Sequence, residues 1–345
     1  MNISPIGNSF FNYPKSVHNN KALISAPQKS GADIFSFKGI SLADKISIIP
    51  SENQTDLEKN IEKNLGVNPA KTEVKKFKNG EIYINIQDRV RGKDVYLMPA
   101  SNSNVNDNLM ETYLKADAAK RAGANRVIAV MPNFDYARQE KRTQKGEPIA
   151  ARLNMDLLKT AGVDEIITAD LHTPAIEGCA SNNLRINHLE SVDMMKDYIQ
   201  QMNIPDLVIV SPDMGGTKRA DKLAKALGVD KAIIYKHRQA HNEATAEDLI
   251  GDVKGKNCII YDDIIDTAGT IAEAAKMLKR KGAEDIYVFA SHGLFNGDAI
   301  KKLQDAPVKA VFVTNSVPKK TESSEKIKQI DISEQITGAI LDISA

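Results

Sequence analysis

The stretch "KRKGAEDIYVFA", residues 279–290, reads as the end of a helix, a glycine, and then a β-branched and aromatic run. The same pattern occurs three more times, as "KRAGANRVIAVM" (120–131), "LKTAGVDEIITAD" (158–170) and "AKALGVDKAIIY" (224–235). Gly123, Gly162, Gly228 and Gly282 stand where each helix should stop, because glycine takes the left-handed cap conformation without a Cβ penalty. Helix, glycine and strand in repetition predict alternating β and α elements. The fold class is therefore α/β, with mostly parallel sheets and helices on both faces. Lys-Arg-x-Gly-Ala occurs at 120–124 and again at 279–283, which points to two similar α/β domains in tandem.

Length agrees, since 345 residues suggest two domains at roughly 100–200 residues each. Residues 1–44 are rich in Asn, Ser and Lys, carry Pro5, Pro14 and Pro27, and show no sustained period, so they are expected to be a disordered extension. Order should begin at the strand "KISIIP" (45–50). A helix should follow in "NQTDLEKNIEKNLGV" (53–67), where Leu57, Ile61 and Leu65 share a face and Gly66 ends it. "EIYINI" (81–86) and "DVYLMPA" (94–100) read as strands. The two domains are placed at 45–190 and 191–345.

The bulk composition excludes several classes. Charged residues make up 26% and the formal net charge is +1, so no global field favours nucleic acid or acidic membranes. No apolar run approaches the length of a membrane span. Two separated cysteines, Cys179 and Cys258, do not make a disulfide framework, and a reducing cytoplasm is the expected location.

Ligands of open α/β sheets bind beyond the carboxyl ends of strands, so the chemistry is sought just after each apolar run. In "CIIYDDIIDTAGT" (258–270), Asp262 and Asp263 meet the strand and a small, hydroxylated loop leads into a helix. Amides of residues 266–270, with Thr267 and Thr270, can line an anion site at a helix N-terminus. A phosphate would repel the two acids, so they should face sugar hydroxyls or a divalent cation, and the combination suggests a phosphorylated sugar. A plainer reading, in which Asp266 and Thr267 only cap the helix, stays open on spacing alone. "MPNFDYARQEKR" (131–142) places Arg138, Lys141 and Arg142 after another strand, and Arg138 beside Gln139 suits phosphate oxygens and a base. A solvated basic loop would look the same. "ADLHTPAIEG" (169–178) puts Asp170 and His172 at a strand end, two residues apart and so on one side of an extended chain, a donor set that suits a divalent ion or its water shell. "VIVSPDMGGTKRADKLAKALG" (208–228) places Asp213, Gly215 and Gly216 at a helix start, and "IIYKHRQAHNE" (233–243) places Lys236 and Arg238 after a further strand.

Taken together these motifs resemble the ribose-phosphate diphosphokinase family, the phosphoribosyl pyrophosphate synthetases. "FKNGEIYINIQDRVRGKDVY" (77–96), "ARQ" (137–139), "DLH" (170–172), "SPDMGG" (211–216) and the 258–270 loop arrive in the family's order, and the similarity runs from about Ser47 to the end. The resemblance implies tandem phosphoribosyltransferase-like, Rossmann-like domains, with ATP on the first and ribose 5-phosphate on the second. It implies transfer of the diphosphoryl group of MgATP to the 1-hydroxyl of ribose 5-phosphate, giving phosphoribosyl pyrophosphate and AMP. Mg²⁺ is the implied cofactor, and a homo-oligomer, a hexamer built of dimers, the implied assembly, with a neighbouring subunit helping to complete the site.

By the same resemblance Asp262 and Asp263 hold the ribose hydroxyls, and Asp266, Thr267, Ala268, Gly269 and Thr270 hold the 5-phosphate. His172 and Asp213, with Asp170 nearby, hold metal and nucleotide phosphates. Phe77, Asn79, Glu81, Arg138 and Gln139 line the ATP site, and Lys236 and Arg238, on a mobile loop, neutralise charge on the transferred group. The chain departs from the family pattern in places. Asn79 stands where the family usually has Asp, and Gly178-Cys179-Ala180-Ser181 where it has Gly-Phe-Phe-Asp. Gly146 replaces a residue that is often basic, and His237 and Gln239 interrupt a more basic run. A weakened relative that modulates an active partner, and a phosphoribosyltransferase acting on a nucleobase, therefore stay open beside the diphosphokinase.

Overall fold

The computed structural model describes residues 41–101, 104–181, 183–238, 245–319 and 324–345. Residues 1–40 of the expected extension lie outside these, while Ser41 caps a short helix that already takes in 42–44.

In chain order the first half runs α1 (Leu42–Lys45), β1 (Ile46–Ile49), α2 (Asp56–Leu65), β2 (Thr72–Lys76), β3 (Ile82–Ile86), β4 (Asp94–Leu97), α3 (Val105–Arg121), β5 (Arg126–Val130), α4 (Ala150–Ala161), β6 (Glu165–Ala169) and β7 (Arg185–Leu189). The second runs α5 (Val192–Gln201), β8 (Leu207–Ser211), α6 (Thr217–Leu227), β9 (Asp230–Arg238), β10 (Thr245–Ile250), β11 (Asn257–Ile265), α7 (Gly269–Arg280), β12 (Ile286–Gly293), α8 (Ala299–Asp305), β13 (Ala310–Thr314), β14 (Ile327–Ile330) and α9 (Ser333–Ser344).

Local chemistry explains the boundaries. Thr55 and Glu58 form a reciprocal capping box at the start of α2, and Gly66 ends that helix in the left-handed region at φ 65°. The four repeat glycines all have positive φ, from 70° at Gly228 to 108° at Gly162. The stretch 72–76, which carries little apolar pattern of its own, becomes a strand by pairing with the alternating β3 in an antiparallel hairpin.

Two larger sheets result. The first has the order β1-β4-β5-β6-β7, all parallel. The second has the order β10-β9-β8-β11-β12-β13-β14, parallel except for the β9–β10 pair. Alternate residues of each strand feed opposite faces. Cys258 and Ile260 of β11 pack with α7 residues Ile271, Ala275 and Leu278, whereas Ile259 and Tyr261 pack with Met195 and Ile199 of α5 and Leu223 of α6. Helices therefore cover both faces, as the repeats predict.

The strands of the two sheets lie on either side of residue 190, but the helices do not divide there. Ile336 and Ile340 of α9, with Ile332 before it, pack on Ile46, Ile48, Leu57, Ile61 and Tyr96 of the first half. Tyr96 Oη donates to the carbonyl of Ile340 at 3.2 Å, and Arg126 donates to that of Ile343 at 2.8 Å. The apolar stripe of α9 repeats every four residues, which tells that it is buried but not on which sheet.

Candidate active site

Strand order in the second sheet reverses beside β8. The chain runs from β8 outward to β9 and β10, then returns to β11 and runs the other way to β14. Such a switch point opens a crevice at the carboxyl ends of the two central strands. β11 is longer than its neighbour there: pairing with β8 stops at Ile260–Val210, while pairing with β12 continues to Ile265–Gly293. Asp262 and Asp263 thus lie within β11, not at its tip, on the part that overhangs the end of β8.

After β8, Gly216 N donates to Asp213 Oδ1 at 2.9 Å and starts α6. A Cβ on Gly216 would come within 2.8 Å of Ser211 Oγ, so only glycine lets the first turn sit this close to the strand. That turn carries Arg219. Its Nη1 lies 3.1 Å from Asp262 Oδ1 and 3.0 Å from Asp263 Oδ1, and its Nη2 donates to the carbonyl of His172 at 3.1 Å. His172, at the end of β6 in the first sheet, donates from Nδ1 to Asp263 Oδ2 at 2.8 Å. Asp263 is 3% exposed, and both of its oxygens are engaged.

The charges follow from this geometry. Burial pushes both acids up. At Asp263 the His172 hydrogen bond and the Arg219 charge outweigh it and hold the carboxyl below its ordinary value. Asp262 is raised, by burial first and then by the charge of Asp263. The hydrogen bond to Asp263 raises His172 above an ordinary histidine.

Beyond β11 the loop 266–268 turns into α7. Ala268 takes φ 57°, a strained value for a residue with a Cβ, and its carbonyl accepts from Ala272 N at 3.0 Å. Asn296 braces the loop, donating from its backbone N to Asp266 O at 2.9 Å and from Nδ2 to Asp266 Oδ1 at 2.8 Å. Lys302 donates to Thr267 O at 3.2 Å. Arg138, from the loop after β5, reaches Asp266 Oδ2 at 2.6 Å.

Two cavities meet here. One of about 460 Å³ is lined by Arg138, His172, Asp213, Arg219, Asp262, Asp263 and all of 266–270. The other, about 760 Å³, is lined by Arg138, Gln139, Asp170, His172 and Asp263 among others, and shares Arg138, His172, Asp263 and Ile264 with the first. Candidates from four separated segments therefore share one crevice. Asp170 lines it, but its Oδ1 accepts from Ser191 N at 3.0 Å and its Oδ2 from Ser291 Oγ.

Three candidates lie elsewhere. Phe77, Asn79 and Glu81 occupy the tip of the β2–β3 hairpin, with Phe77 57% exposed, and none of them lines either cavity. Lys236 and Arg238, expected on a loop, have strand backbone at the end of β9, in register with Glu247 and Thr245, because the β-branched run before them continues into the antiparallel pair with β10. Their side chains, and residues 239–244 with Gln239, fall outside the described residues. Sequence reasoning missed Arg219 and Asn296. Arg219 had one signal: it stands three residues after the Gly-Gly that opens a helix at a strand end.

Among the described residues no three His, Cys, Asp or Glu side chains form a metal cluster.

A mostly parallel α/β sheet with paired acids and a small-residue loop leading into a helix at its switch point defines the phosphoribosyltransferase-like class. Residues 46–162 match the model of the N-terminal domain of ribose phosphate pyrophosphokinase, and residues 240–345 match that of the phosphoribosyl synthetase-associated domain. The chain belongs to the ribose-phosphate pyrophosphokinase family. It is 42% identical over 298 residues to ribose-phosphate pyrophosphokinase 1 of Listeria innocua, covering 86% of this chain and 92% of the relative. It is 40% identical over 302 residues to ribose-phosphate pyrophosphokinase A of Dictyostelium discoideum, covering 87% and 95%. The crystal structure of phosphoribosylpyrophosphate synthetase from Mycobacterium smegmatis superposes with a TM-score of 0.81 at 34% identity, over 87% of this chain and 98% of that one.

Proposed function

We propose that the chain is a ribose-phosphate diphosphokinase, which moves the diphosphoryl group of ATP to the 1-hydroxyl of ribose 5-phosphate and releases AMP. One observation carries this reading. The acids and loop suited to a sugar phosphate share a crevice with Arg138, Gln139 and His172, brought across from the other sheet. Donor and acceptor can then lie end to end, and this kind of transfer needs mainly positioning and charge neutralisation.

In this reading the amides of 266–270 and the start of α7 bind the 5-phosphate, and Asp262, fixed against Asp263, accepts from the ribose hydroxyls. Arg138 and Gln139 take the nucleotide. Mg²⁺ bound with ATP would supply neutralisation of phosphate charge. Asp213 and His172, which face one cavity, would supply its protein donors. Asp170, with both oxygens taken, serves better as a brace than as a ligand. Lys236 and Arg238 would close over the transferred group. Phe77, Asn79 and Glu81 would complete the nucleotide site of a second copy, which makes a homo-oligomer part of the proposal. A reducing compartment suits the two free cysteines, and among the described residues no helix is long and apolar enough to cross a membrane.

Purified protein incubated with ATP, Mg²⁺ and ribose 5-phosphate should form AMP, and the Asp262→Asn/Asp263→Asn variant should not. Ribose 5-phosphate binding without AMP would indicate a regulatory relative. Release of pyrophosphate from phosphoribosyl pyrophosphate only with a nucleobase would indicate a transferase.

A further inference from the structure

We propose that Arg219 is a positioning residue of this reaction: one guanidinium that serves both acids of the Asp262–Asp263 pair and ties them to the His172 turn of the other sheet. The proposal rests on the ribose 5-phosphate reading above.

Two adjacent carboxylates at the end of a buried strand repel each other and have lost most of their water. They need a cation that reaches both. Arg219 Nη1 lies within 3.1 Å of an oxygen of each, while Nη2 of the same fork meets His172 O at 3.1 Å. A planar fork fixes three partners at set angles, and a lysine ammonium, a point charge on a flexible stem, does not. The start of the side chain is fixed as well, because Gly216 presses the first turn of α6 against Ser211 and Gly216 N is held by Asp213.

The arrangement joins three segments: Asp262 and Asp263 from β11, His172 from the turn after β6, and Arg219 from α6. His172 closes the figure by donating to Asp263 Oδ2. The angle at which Asp262 faces the sugar and the distance of His172 from that sugar are thereby set by one side chain. Asp262 Oδ1 is held by Arg219 and by the backbone N of Asp263 at 2.9 Å, so the carboxylate cannot turn freely to meet a hydroxyl.

The test uses the full chain with Arg219→Met and Arg219→Lys. Folding is followed by circular dichroism, ribose 5-phosphate binding by calorimetry and turnover by AMP release. In Arg219→Met the dissociation constant for ribose 5-phosphate should rise about tenfold or more, the scale of one charged hydrogen bond, while KM for ATP rises by clearly less. Arg219→Lys should recover part of the loss, and added guanidinium ion should restore part of the activity of Arg219→Met without raising that of the wild type.

Ribose 5-phosphate affinity within about twofold of wild type in a folded Arg219→Met would overturn the proposal. Equal losses for both substrates with no guanidinium rescue would do the same, since they mark a purely structural role. Should Arg219→Met not fold, Arg219→Lys carries the comparison, and unchanged affinity and turnover there would overturn it. If the wild type itself binds no ribose 5-phosphate, the functional reading fails first and takes the proposal with it.

Discussion

Arg138 Nη1 lies 2.6 Å from Asp266 Oδ2, so a loop of the first sheet touches the candidate phosphate loop of the second. The Arg138 side chain is 53% exposed and that of Asp266 25%, so the pair sits in water and is worth about 0–1 kcal/mol in stability. Its importance should appear in binding. Asp266→Asn is expected to shift the unfolding midpoint by no more than about 4 °C. The same change should raise KM for ribose 5-phosphate about tenfold, because the carboxylate that Asn296 and Arg138 hold in place is gone. Thermal unfolding and initial rates check this, and a large midpoint loss with unchanged KM would show that the pair matters to the fold alone.

His292 is buried between the sheets, where its Nε2–H donates to Ala169 O at 3.1 Å and its Nδ1 accepts from Ser316 Oγ at 2.8 Å. Burial pushes its imidazole below the ordinary value of 6.5, against the pull of Asp170 and Asp263. A histidine depressed in the folded state contributes stability that is present above the unfolded value and is lost as pH falls. Below about pH 6.5 that loss runs at up to about 1.4 kcal/mol per pH unit until the folded imidazole itself titrates. His292→Gln keeps a donor toward Ala169 but has no such proton. Its stability, measured by denaturant unfolding at about pH 7.5 and about pH 5.5, should fall less on acidification than that of the wild type. Parallel curves would mean that His292 can charge without cost.

Gly216→Ala places a methyl 2.8 Å from Ser211 Oγ. The backbone there is ordinary, at φ −76°, so the expected cost of about 1–3 kcal/mol is purely steric. Removing the obstacle should return part of it. Gly216→Ala/Ser211→Ala should be more stable than the two single changes summed, and a strictly additive pair would mean that the helix turn yields instead.

Lys236→Ala should leave ribose 5-phosphate binding nearly intact while turnover falls on the order of 10²–10³-fold, the scale of losing one preorganised group at a transition state. Calorimetry beside AMP release separates the two. Equal loss of both would assign Lys236 to the fold of the strand end.

The parts of the molecule legible in sequence are those where one residue type has few alternatives. Gly123, Gly162, Gly228 and Gly282 mark helix ends because their positive φ suits little else, and from them follow the alternation and the parallel sheets. The 262–270 run is legible because adjacent acids before small residues have few uses at a strand end. Arg219 is hidden because Lys218 and Arg219, on the first turn of a helix, look like a solvated face, and only the overhang of β11 beyond β8 brings the acids to meet them. The hairpin tip at Phe77–Glu81 was readable as a motif, but nothing within a single chain tells where it reaches. For α9 the stripe through Ile336 and Ile340 predicts burial, and the choice between two sheets is made by long-range packing on Tyr96 and Ile61.

Because α9 returns to the first sheet, the second sheet is joined to the first by covalent chain at two places, near Ser191 and near Ile332. A body tethered at one point can swing in any direction. One tethered at two can rotate only about the line through both. The contact between Arg138 and Asp266 is thus made between two sheets whose mutual placement is fixed by two chain crossings instead of one.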